Sequence, residues 1–473
     1  MTAPNRESTQ VVVIGAGYAG ISAARDLDHA GIDVVVLEAS DRVGGRVHTD
    51  RTDIPIDLGG MWLGAGHTRF SEMAASASVT TYPTPSHGDA LLRDGGEWHR
   101  YDPHRPLPPL GPVATAMFAS VAWRLDRLAE RIDLRAPWSS ADASRLDSIT
   151  VSSWLRTAAP YGPVRRLIDA NVHEVLCADP SMVSMLALLT YIKSSGGLEA
   201  LISTDGGAQQ DLLIGGADGP IRHVAAELGD RIRLDSPVER IDQRGDHIVI
   251  SGPTATITAE RVIVAMPPTL AGRIRYEPVM PPSRDALTQQ MPMGAVWKIF
   301  AVYDTPFWRD AGLSGESIDL RSPITATFDA SPPIGPGLLC TLVGGSRARR
   351  LDSIDESDRR RLVLDHFASV LGARALRPVD YRERSWASQI WSRGGYSGYT
   401  PPGVLSTLGR AIRTPVGRIH WAGTETAIEF QGYIEGAIRS GERAAAEVAA
   451  TLGDHRTGRS ASAPDPTSVG ADL

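Results

Sequence analysis

The chain has 473 residues, of which 42% are hydrophobic and 22% are charged, so it can bury a large core in two or three structural units. This composition excludes a disordered or fibrous protein. The net charge of −7 comes from 48 basic and 55 acidic side chains without a long run of either sign, so a nucleic-acid partner is not expected. Because no run of about 18 apolar residues occurs, we expect a soluble, cytoplasmic protein with no membrane partner.

The chain contains two cysteines, Cys177 and Cys340. Two cysteines are too few for a disulfide framework, and a cysteine metal site would need more ligands. We therefore expect two thiols in the hydrophobic core and no metal site.

The first predicted element is a strand over residues 10–14, an apolar and β-branched run of the kind that parallel sheets bury. It leads directly into Gly15, Gly17 and Gly20, which form the pattern G-x-G-x-x-G. Gly15 allows a tight turn, and Gly17 lets the backbone approach a pyrophosphate. Gly20 lets a helix over residues 21–30 pack closely on the strand.

The N-terminus of that helix is predicted to face the phosphates, with Tyr18 and Ala19 in the turn before it as cofactor contacts. A second strand over residues 33–37 then ends at Glu38, and Glu38 and the following Ala39 are also predicted cofactor contacts. Glu38 is placed to accept hydrogen bonds from both hydroxyls of an adenosine ribose. Because strand, glycine motif, helix, strand and acidic residue occur in order within about 30 residues, they predict a dinucleotide site with an unphosphorylated ribose.

Two further glycine-rich segments favour FAD over NAD. Residues 41–46 continue the fingerprint, and residues 57–62 supply a second glycine-rich backbone, although such segments also occur as ordinary surface turns. The predicted cofactor contacts in these segments are Gly45, Arg46, Gly59, Gly60, Met61 and Trp62.

The middle of the chain alternates between helical and strand patterns. Apolar spacing predicts helices over residues 123–134, 152–155, 164–176 and 181–191. Strands are predicted over residues 231–234, 261–265, 295–303 and 338–343.

Near the C-terminus, a strand over residues 418–422 precedes a turn at 423–426 and a helix that opens at 431–437 and runs to about residue 450. The positive end of this helix suits the flavin pyrimidine edge, which becomes anionic on reduction. An ordinary structural helix cap is the alternative.

Both ends of the chain therefore contribute to one predicted α/β fold. A discontinuous, Rossmann-like FAD-binding domain is expected over residues 1–85, 205–290 and 385–452. A substrate-binding domain with a mixed sheet and helices is expected over residues 86–204 and 291–384, and a disordered tail over residues 453–473.

Several separate motifs resemble those of the flavin monoamine oxidase family, including its bacterial FAD-dependent amine oxidases, from about residue 11 to 448. They are residues 41–46, 57–60, 293–298, Trp386 with 394–403, and 421–437. The cofactor contacts that the resemblance implies in the second half of the chain are Val238, Trp386, Gly423, Glu425, Tyr433 and Ile434.

The resemblance implies three catalytic residues. Lys298 matches a lysine that holds a water molecule near flavin N5. Since it lies within an apolar strand and a buried lysine is costly without a partner, the alternative of a surface lysine is less favoured. Tyr396 and Tyr433 match two aromatic rings that face each other before the flavin and accept an unprotonated amine between them. Either tyrosine alone is also compatible with core packing.

Two departures from the mammalian monoamine oxidases carry information. Those enzymes attach FAD to a cysteine immediately before the first of these tyrosines, and this chain has Gly395 there, so noncovalent FAD is expected. We also expect no counterpart of their C-terminal membrane helix, because the polar residues at the end of this sequence are not suited to span a bilayer.

The predicted reaction begins with hydride transfer from the amine α-carbon to flavin N5. The imine then hydrolyses to an aldehyde or ketone, and O2 reoxidises the flavin to give H2O2 with help from Lys298 and its water. The alternatives are an L-amino-acid oxidase, which needs an arginine for the substrate carboxylate, an amine dehydrogenase with another electron acceptor, and a flavin-bearing binding module without turnover.

The substrate stays open at this stage beyond a small-molecule amine. The resemblance places His173, Glu174 and Cys177 on a helix near the pocket, where a carboxylate would bind the distal ammonium of a diamine; exposed helix charges are the alternative. Gln209 and Gln210 are further candidates for the pocket wall. The predicted partners are the amine and O2, and a homodimer is left open.

Overall fold

The computed structural model describes residues 7–104 and 110–457. In chain order the strands are β1 (Glu7–Ile14), β2 (Val34–Leu37), β3 (Thr49–Asp50), β4 (Ile56–Asp57), β5 (Thr81–Pro83), β6 (Asp89–Arg93), β7 (His99–Tyr101), β8 (Asp211–Leu213), β9 (Ile232–Arg233), β10 (Arg240–Asp242), β11 (Ile248–Ser251), β12 (Thr256–Val264), β13 (Arg275–Glu277), β14 (Val296–Tyr303), β15 (Leu313–Asp319), β16 (Ala326–Asp329), β17 (Gly337–Gly344), β18 (Asp380–Ser385) and β19 (Ile419–Trp421).

The helices are α1 (Tyr18–His29), α2 (Thr68–Ser76), α3 (Pro112–Ala129), α4 (Ala143–Asp147), α5 (Val151–Ala158), α6 (Gly162–Leu176), α7 (Met185–Ser194), α8 (Leu198–Ile202), α9 (Gly219–Leu228), α10 (Pro268–Ala271), α11 (Pro282–Gln290), α12 (Gly345–Leu351), α13 (Glu356–Leu371), α14 (Val404–Leu408) and α15 (Ile434–Thr457). Within the described ranges, no helix combines the length and apolar character needed to cross a bilayer.

The first sheet has the strand order β13-β10-β11-β12-β1-β2-β9, and β19 also pairs with β12. β1 pairs in parallel with β12 and β2, and β2 pairs in parallel with β9. Such strands are covered on both faces, which explains the continuous valine runs of β1 and β2. Helix α1 connects these two strands and packs against α15, so the first and last helices share one core.

The second sheet has the strand order β18-β14-β17-β16-β15-β6-β7. Its pairs are antiparallel except for β15 with β6, so the sheet is mixed. Every residue of β14 and β17 is buried, because α12 and α13 pack over one face and the other faces the centre of the molecule. The predicted fold class, an α/β fold with a Rossmann-like sheet and a mixed-sheet plus helical part, is confirmed.

The strands of the two sheets come from separate stretches of the chain. The first sheet uses residues 7–37, 232–277 and 419–421, and the second uses residues 89–101 and 296–385. This distribution supports the discontinuous domain division predicted above, whose boundaries we retain as a proposal.

One predicted helix is misplaced. Instead of residues 123–134, α3 covers Pro112–Ala129 and follows Gly111, so it starts earlier and stops earlier than expected. Its start has a proline in the first turn, a typical position for proline. It stops because the N–H groups of Arg131 and Ile132 turn back onto carbonyls three residues earlier, and Lys193 binds the carbonyls of Glu130 and Ile132.

The last helix is longer than predicted. It reaches Thr457 rather than about residue 450, so residues 453–457 of the predicted tail belong to a helix. The rest of that tail, residues 458–473, lies outside the described residues.

Candidate active site

A central cavity of about 790 Å³ lies between the two sheets. Its wall includes Ile14 and Leu37 from the first sheet, and Lys298, Leu342 and Arg384 from the second. This volume is within the usual range for sites that bind a cofactor or ligand of the size of a drug. The cavity therefore joins the predicted dinucleotide site to the predicted catalytic lysine.

The glycine motif forms a close-packed turn at one wall of this cavity. Gly15 has φ of +103°, and a Cβ on it would lie 2.8 Å from the Ala265 carbonyl oxygen. A Cβ on Gly20 would lie 1.9 Å from the Gly15 carbonyl oxygen, so α1 packs on β1 only because these residues are glycines. Gly20 packs directly against the backbone of Gly15 and does not itself line the cavity.

The start of α1 suits a pyrophosphate. Gly17 is the N-cap in an extended conformation, and no side chain caps the first turn, so the N–H groups of Tyr18 and Ala19 are available to an anion. A Cβ on Gly45 would lie 3.3 Å from the Gly17 Cα. The second glycine segment therefore packs directly against the first, backbone to backbone.

Glu38 lies at the end of β2, where the predicted ribose would bind. Its Oε2 accepts the Ala16 N–H at 2.7 Å, and its Oε1 accepts the Ser40 N–H at 2.9 Å and the Ser40 hydroxyl at 2.8 Å. These bonds hold the carboxylate in place. Because ionised carboxylate oxygens offer about four acceptor sites in all, acceptor capacity is left for a ligand.

Lys298 lies in the middle of β14, borders the cavity and is 2% exposed. Its Nζ donates to the Gly59 carbonyl oxygen at 2.7 Å and lies 5.7 Å from the Trp62 ring centre. Burial lowers the pKa of Lys298, whereas Cys340 and Asp57 act in the opposite direction. With two donors left on Nζ, Lys298 is able to hold a water molecule in the cavity.

Tyr396 and Tyr433, the tyrosine pair, both line the cavity. The Tyr433 ring stacks on Tyr191 with centroids 5.9 Å apart and contacts His67 at 5.1 Å. Burial raises the pKa of Tyr396 well above its ordinary value and that of Tyr433 to about 12. Both phenols are therefore neutral at physiological pH, which suits an uncharged amine between them. Their face-to-face arrangement stays a prediction.

The ion pair between Arg46 and the buried Glu425 holds the backbone of Tyr396 in place. Arg46 binds both carboxylate oxygens of Glu425, at 2.5 and 3.1 Å, and donates to the Tyr396 carbonyl oxygen at 2.7 Å. Glu425 also accepts the Gly398 N–H at 3.0 Å. Arg46 lines the cavity and Glu425 does not. The carboxylate of Glu425 thus binds Arg46 and Gly398, and its contact with the cofactor stays a prediction.

The remaining predicted cofactor contacts all lie along the cavity wall. They are Ala39, Gly59, Gly60, Met61, Trp62, Val238, Trp386, Gly423 and Ile434.

The substrate candidates separate into two groups. Glu174 and Gln209 border the cavity, whereas His173, Cys177 and Gln210 are not part of its wall. Gln210 hydrogen-bonds Asp211, and burial raises the pKa of Cys177, which keeps its thiol protonated. Successive residues of a helix point about 100° apart, which explains why Glu174 borders the cavity and its neighbour His173 does not.

His173 is structural. Its Nε2 lies 2.7 Å from an Asp179 carboxylate oxygen, and its Nδ1 lies 2.8 Å from the Asp169 carbonyl oxygen and 3.3 Å from the Asp169 carboxylate. Burial alone would lower the pKa of His173, but the hydrogen bonds to Asp169 and Asp179 raise it to about 9. The protonated His173 ring therefore holds Asp179 against the end of α6.

We expect His173 to make folding stability pH-dependent. Since its folded pKa of about 9 exceeds the unfolded value of about 6.5, its contribution is complete below about pH 6.5 and is lost as the pH rises through 9. His173→Gln should lower the free energy of unfolding by up to about 3 kcal/mol at pH 6 and by much less at pH 10. Urea unfolding at both pH values measures this. The exposed His223→Gln, beside Glu227, is the control, and an equal loss at both pH values would contradict the assignment.

Several wall residues were not predicted. They include Tyr191, Ser236, Ala265, Met266, Val296, Phe328, Leu342 and Arg384. Ser236 follows β9, and Ala265 and Met266 follow β12, each by three residues or fewer. The carboxyl ends of parallel strands are where open α/β sheets bind ligands, so the position of these three residues was predictable. The others come from the second sheet and from α7, which gave no such signal.

The start of α1 without a side-chain cap, the acidic residue after β2 and the cavity that joins them to Lys298 are the features of a dinucleotide-binding enzyme with a buried lysine in its site. Residues 18–449 match the family model described as flavin containing amine oxidoreductase. The chain belongs to this family, as the sequence motifs predicted.

Individual relatives cover nearly the whole chain. It is 38% identical over 447 residues, 94% of this chain and 97% of the relative, to AofH of Mycobacterium tuberculosis, whose name assigns it to the flavin-containing monoamine oxidases. It is 35% identical to the flavin-containing amine oxidase A of Sus scrofa, over 94% of this chain and 85% of that protein.

Two solved structures agree in fold. Cyclohexylamine oxidase from Brevibacterium oxydans superimposes with a TM-score of 0.90 at 35% identity, over 94% of this chain and 99% of that one. Wild-type putrescine oxidase bound to putrescine superimposes with a TM-score of 0.90 at 30% identity, over 94% and 99% of the two chains. The chain is thus an amine oxidoreductase, and the glycine turn, Glu38 and the long cavity fit its cofactor, FAD.

Proposed function

We propose that the enzyme oxidises a small-molecule amine by removing a hydride from the carbon next to the nitrogen. The observation that carries this proposal is the presence of Lys298 and the tyrosine pair on the same cavity as the dinucleotide turn. FAD, when bound, accepts the hydride and passes the electrons to O2, which yields H2O2.

The protein positions the amine, excludes water from the reacting atoms and favours the neutral form of the amine. The rings of Tyr396 and Tyr433 remain uncharged, so they supply no anionic partner for an ammonium, and removing its water then favours the neutral amine. Lys298 holds a water molecule through the donors that Gly59 leaves free. The imine product leaves the cavity and is hydrolysed to an aldehyde or ketone.

We further propose that FAD is bound noncovalently. Gly395, which borders the cavity immediately before Tyr396, has no side chain to form a bond with a flavin. Acid precipitation of the purified enzyme should therefore leave the yellow colour in the supernatant rather than in the pellet. The cytoplasmic location and the homodimer stay predictions from the sequence.

The deciding experiment is anaerobic mixing of the yellow enzyme with single amines, followed at the flavin band near about 450 nm. The panel contains aromatic, aliphatic and cyclic monoamines, diamines and L-amino acids. Bleaching by an amine, followed by one H2O2 per turnover on admitting air, supports the proposal. Bleaching by amino acids alone indicates an L-amino-acid oxidase, bleaching without H2O2 indicates a dehydrogenase, and no bleaching contradicts the proposal.

A further inference from the structure

We propose that Glu174 makes the enzyme selective for amines that carry a second positive charge, because its carboxylate binds the ammonium group at the far end of the substrate. The inference rests on the proposed amine oxidation and names the substrate class of the same cavity. It predicts that diamines are better substrates than monoamines of equal length.

The carboxylate of Glu174 is buried and poorly satisfied. Glu174 lies in the last turn of α6 and borders the cavity. Both of its carboxylate oxygens are shielded from solvent, and within the described part of the chain they have no well-formed hydrogen bond, the Thr325 hydroxyl making only a weak one. A buried carboxylate with so few partners is costly, so a ligand that donates hydrogen bonds to it from the cavity would offset that cost.

The protein side of Glu174 supplies little compensation. Burial raises the pKa of Glu174 to about 7, although Arg347, His173 and the Thr325 hydroxyl act in the opposite direction. The Arg347 guanidinium hydrogen-bonds Thr325, and His173 is engaged by Asp169 and Asp179. A substrate ammonium would favour the ionised carboxylate, so binding of the cation and ionisation of Glu174 reinforce each other.

Glu174 borders the same cavity as Tyr396 and Lys298. Its charge raises the pKa of Tyr396, Cys177 and Cys340. An amine whose reacting nitrogen lies between the tyrosine pair would extend its other end along the cavity wall to Glu174. In a diamine, the second ammonium at that end would bind the Glu174 carboxylate. In a monoamine, the methyl group at that end would leave the carboxylate without a charged partner.

The test compares two probes of equal chain length, butane-1,4-diamine and butan-1-amine, in the FAD-loaded full chain. Glu174→Gln keeps the shape and removes the charge, Glu174→Leu removes the polar group, and Glu199→Gln changes an exposed glutamate of α8 as the matched control. For each protein, anaerobic flavin reduction gives the limiting rate and the apparent Kd, and steady-state turnover gives kcat/KM.

We expect Glu174→Gln to lower kcat/KM for the diamine by about 10- to 100-fold, the range for losing a hydrogen bond to a charged group, mainly through a weaker apparent Kd. The monoamine should change by less than about threefold with Glu174→Gln and should improve with Glu174→Leu, since no unpaired carboxylate remains. Glu199→Gln should match the wild type with both probes.

Three results would overturn the inference. They are equal losses for both probes in Glu174→Gln, no loss for either, and a wild-type enzyme that prefers the monoamine. In each of these the flavin is still bleached by an amine, so the proposed amine oxidation stands. If neither these probes nor the wider panel bleach the wild-type flavin, the proposed function itself fails and the inference fails with it.

Discussion

Lys298→Met is expected to slow the reaction of the reduced flavin with O2 by about 100-fold, while anaerobic reduction by an amine changes by less than about tenfold. The Lys298 Nζ borders the cavity and keeps donors beyond its bond to Gly59. Reduction of O2 develops negative charge, and loss of one fixed donor at such a position typically costs about 10²–10³ in rate. Stopped-flow mixing of the reduced enzyme with O2 separates this half-reaction from amine oxidation.

The chain offers a matched control for this substitution. Lys193 and Lys298 are its only lysines, in a sequence whose 48 basic residues are otherwise arginines. Lys193→Met removes contacts with the carbonyls of Glu130 and Ile132, and since none of these three residues lines the cavity, both half-reactions should keep their wild-type rates. If Lys298→Met reoxidises as fast as the wild type, Lys298 has no role in the reaction with O2.

Glu425→Ala is expected to lower the free energy of unfolding by about 1.5–3 kcal/mol, the usual contribution of a hydrogen bond to a charged group, because Glu425 is buried while Arg46 is 21% exposed. The substitution leaves Arg46 and the Gly398 N–H without their partner. Since Arg46 also binds the Tyr396 carbonyl oxygen, we expect the variant to hold less FAD as purified and to bind amines more weakly. Urea unfolding and the ratio of flavin to protein absorbance measure the two effects.

Glu442→Ala provides the comparison. Glu442 pairs with Arg25 and Arg69 on the half-exposed side of α15, where an ion pair contributes about 0–1 kcal/mol. This variant should retain its flavin and nearly all its stability. Equal, small losses in both variants would show that the pair of Arg46 and Glu425 does not organise the site.

The N-terminal part of the site was predictable because neighbouring residues in the sequence determine each of its elements. β1, the glycine turn, α1, β2 and Glu38 follow one another along the chain, and each has its own pattern of residues. Gly15, Gly17 and Glu38 therefore lie where the sequence placed them. The family motifs extended this to Lys298, Tyr396 and Tyr433, which line the same cavity.

Contacts between distant segments could not be predicted from the sequence. Glu425 lies in a motif typical of cofactor sites, but only the fold shows that its carboxylate binds Arg46. Likewise, the family resemblance placed His173, Glu174 and Cys177 on a helix near the pocket without showing which of them faces the cavity. That choice depends on how α6 is rotated against the second sheet, which is a property of tertiary packing.

The cavity is closed by residues from both ends of the chain, with Gly15 and Glu38 on one side of the sequence and Gly423 and Ile434 on the other. On the ribosome, a nascent chain would display the glycine turn early but could not complete the flavin site until α15 had emerged. A chain that stopped before about residue 437 would lack part of the cavity wall, so the complete site can form only on a nearly finished chain.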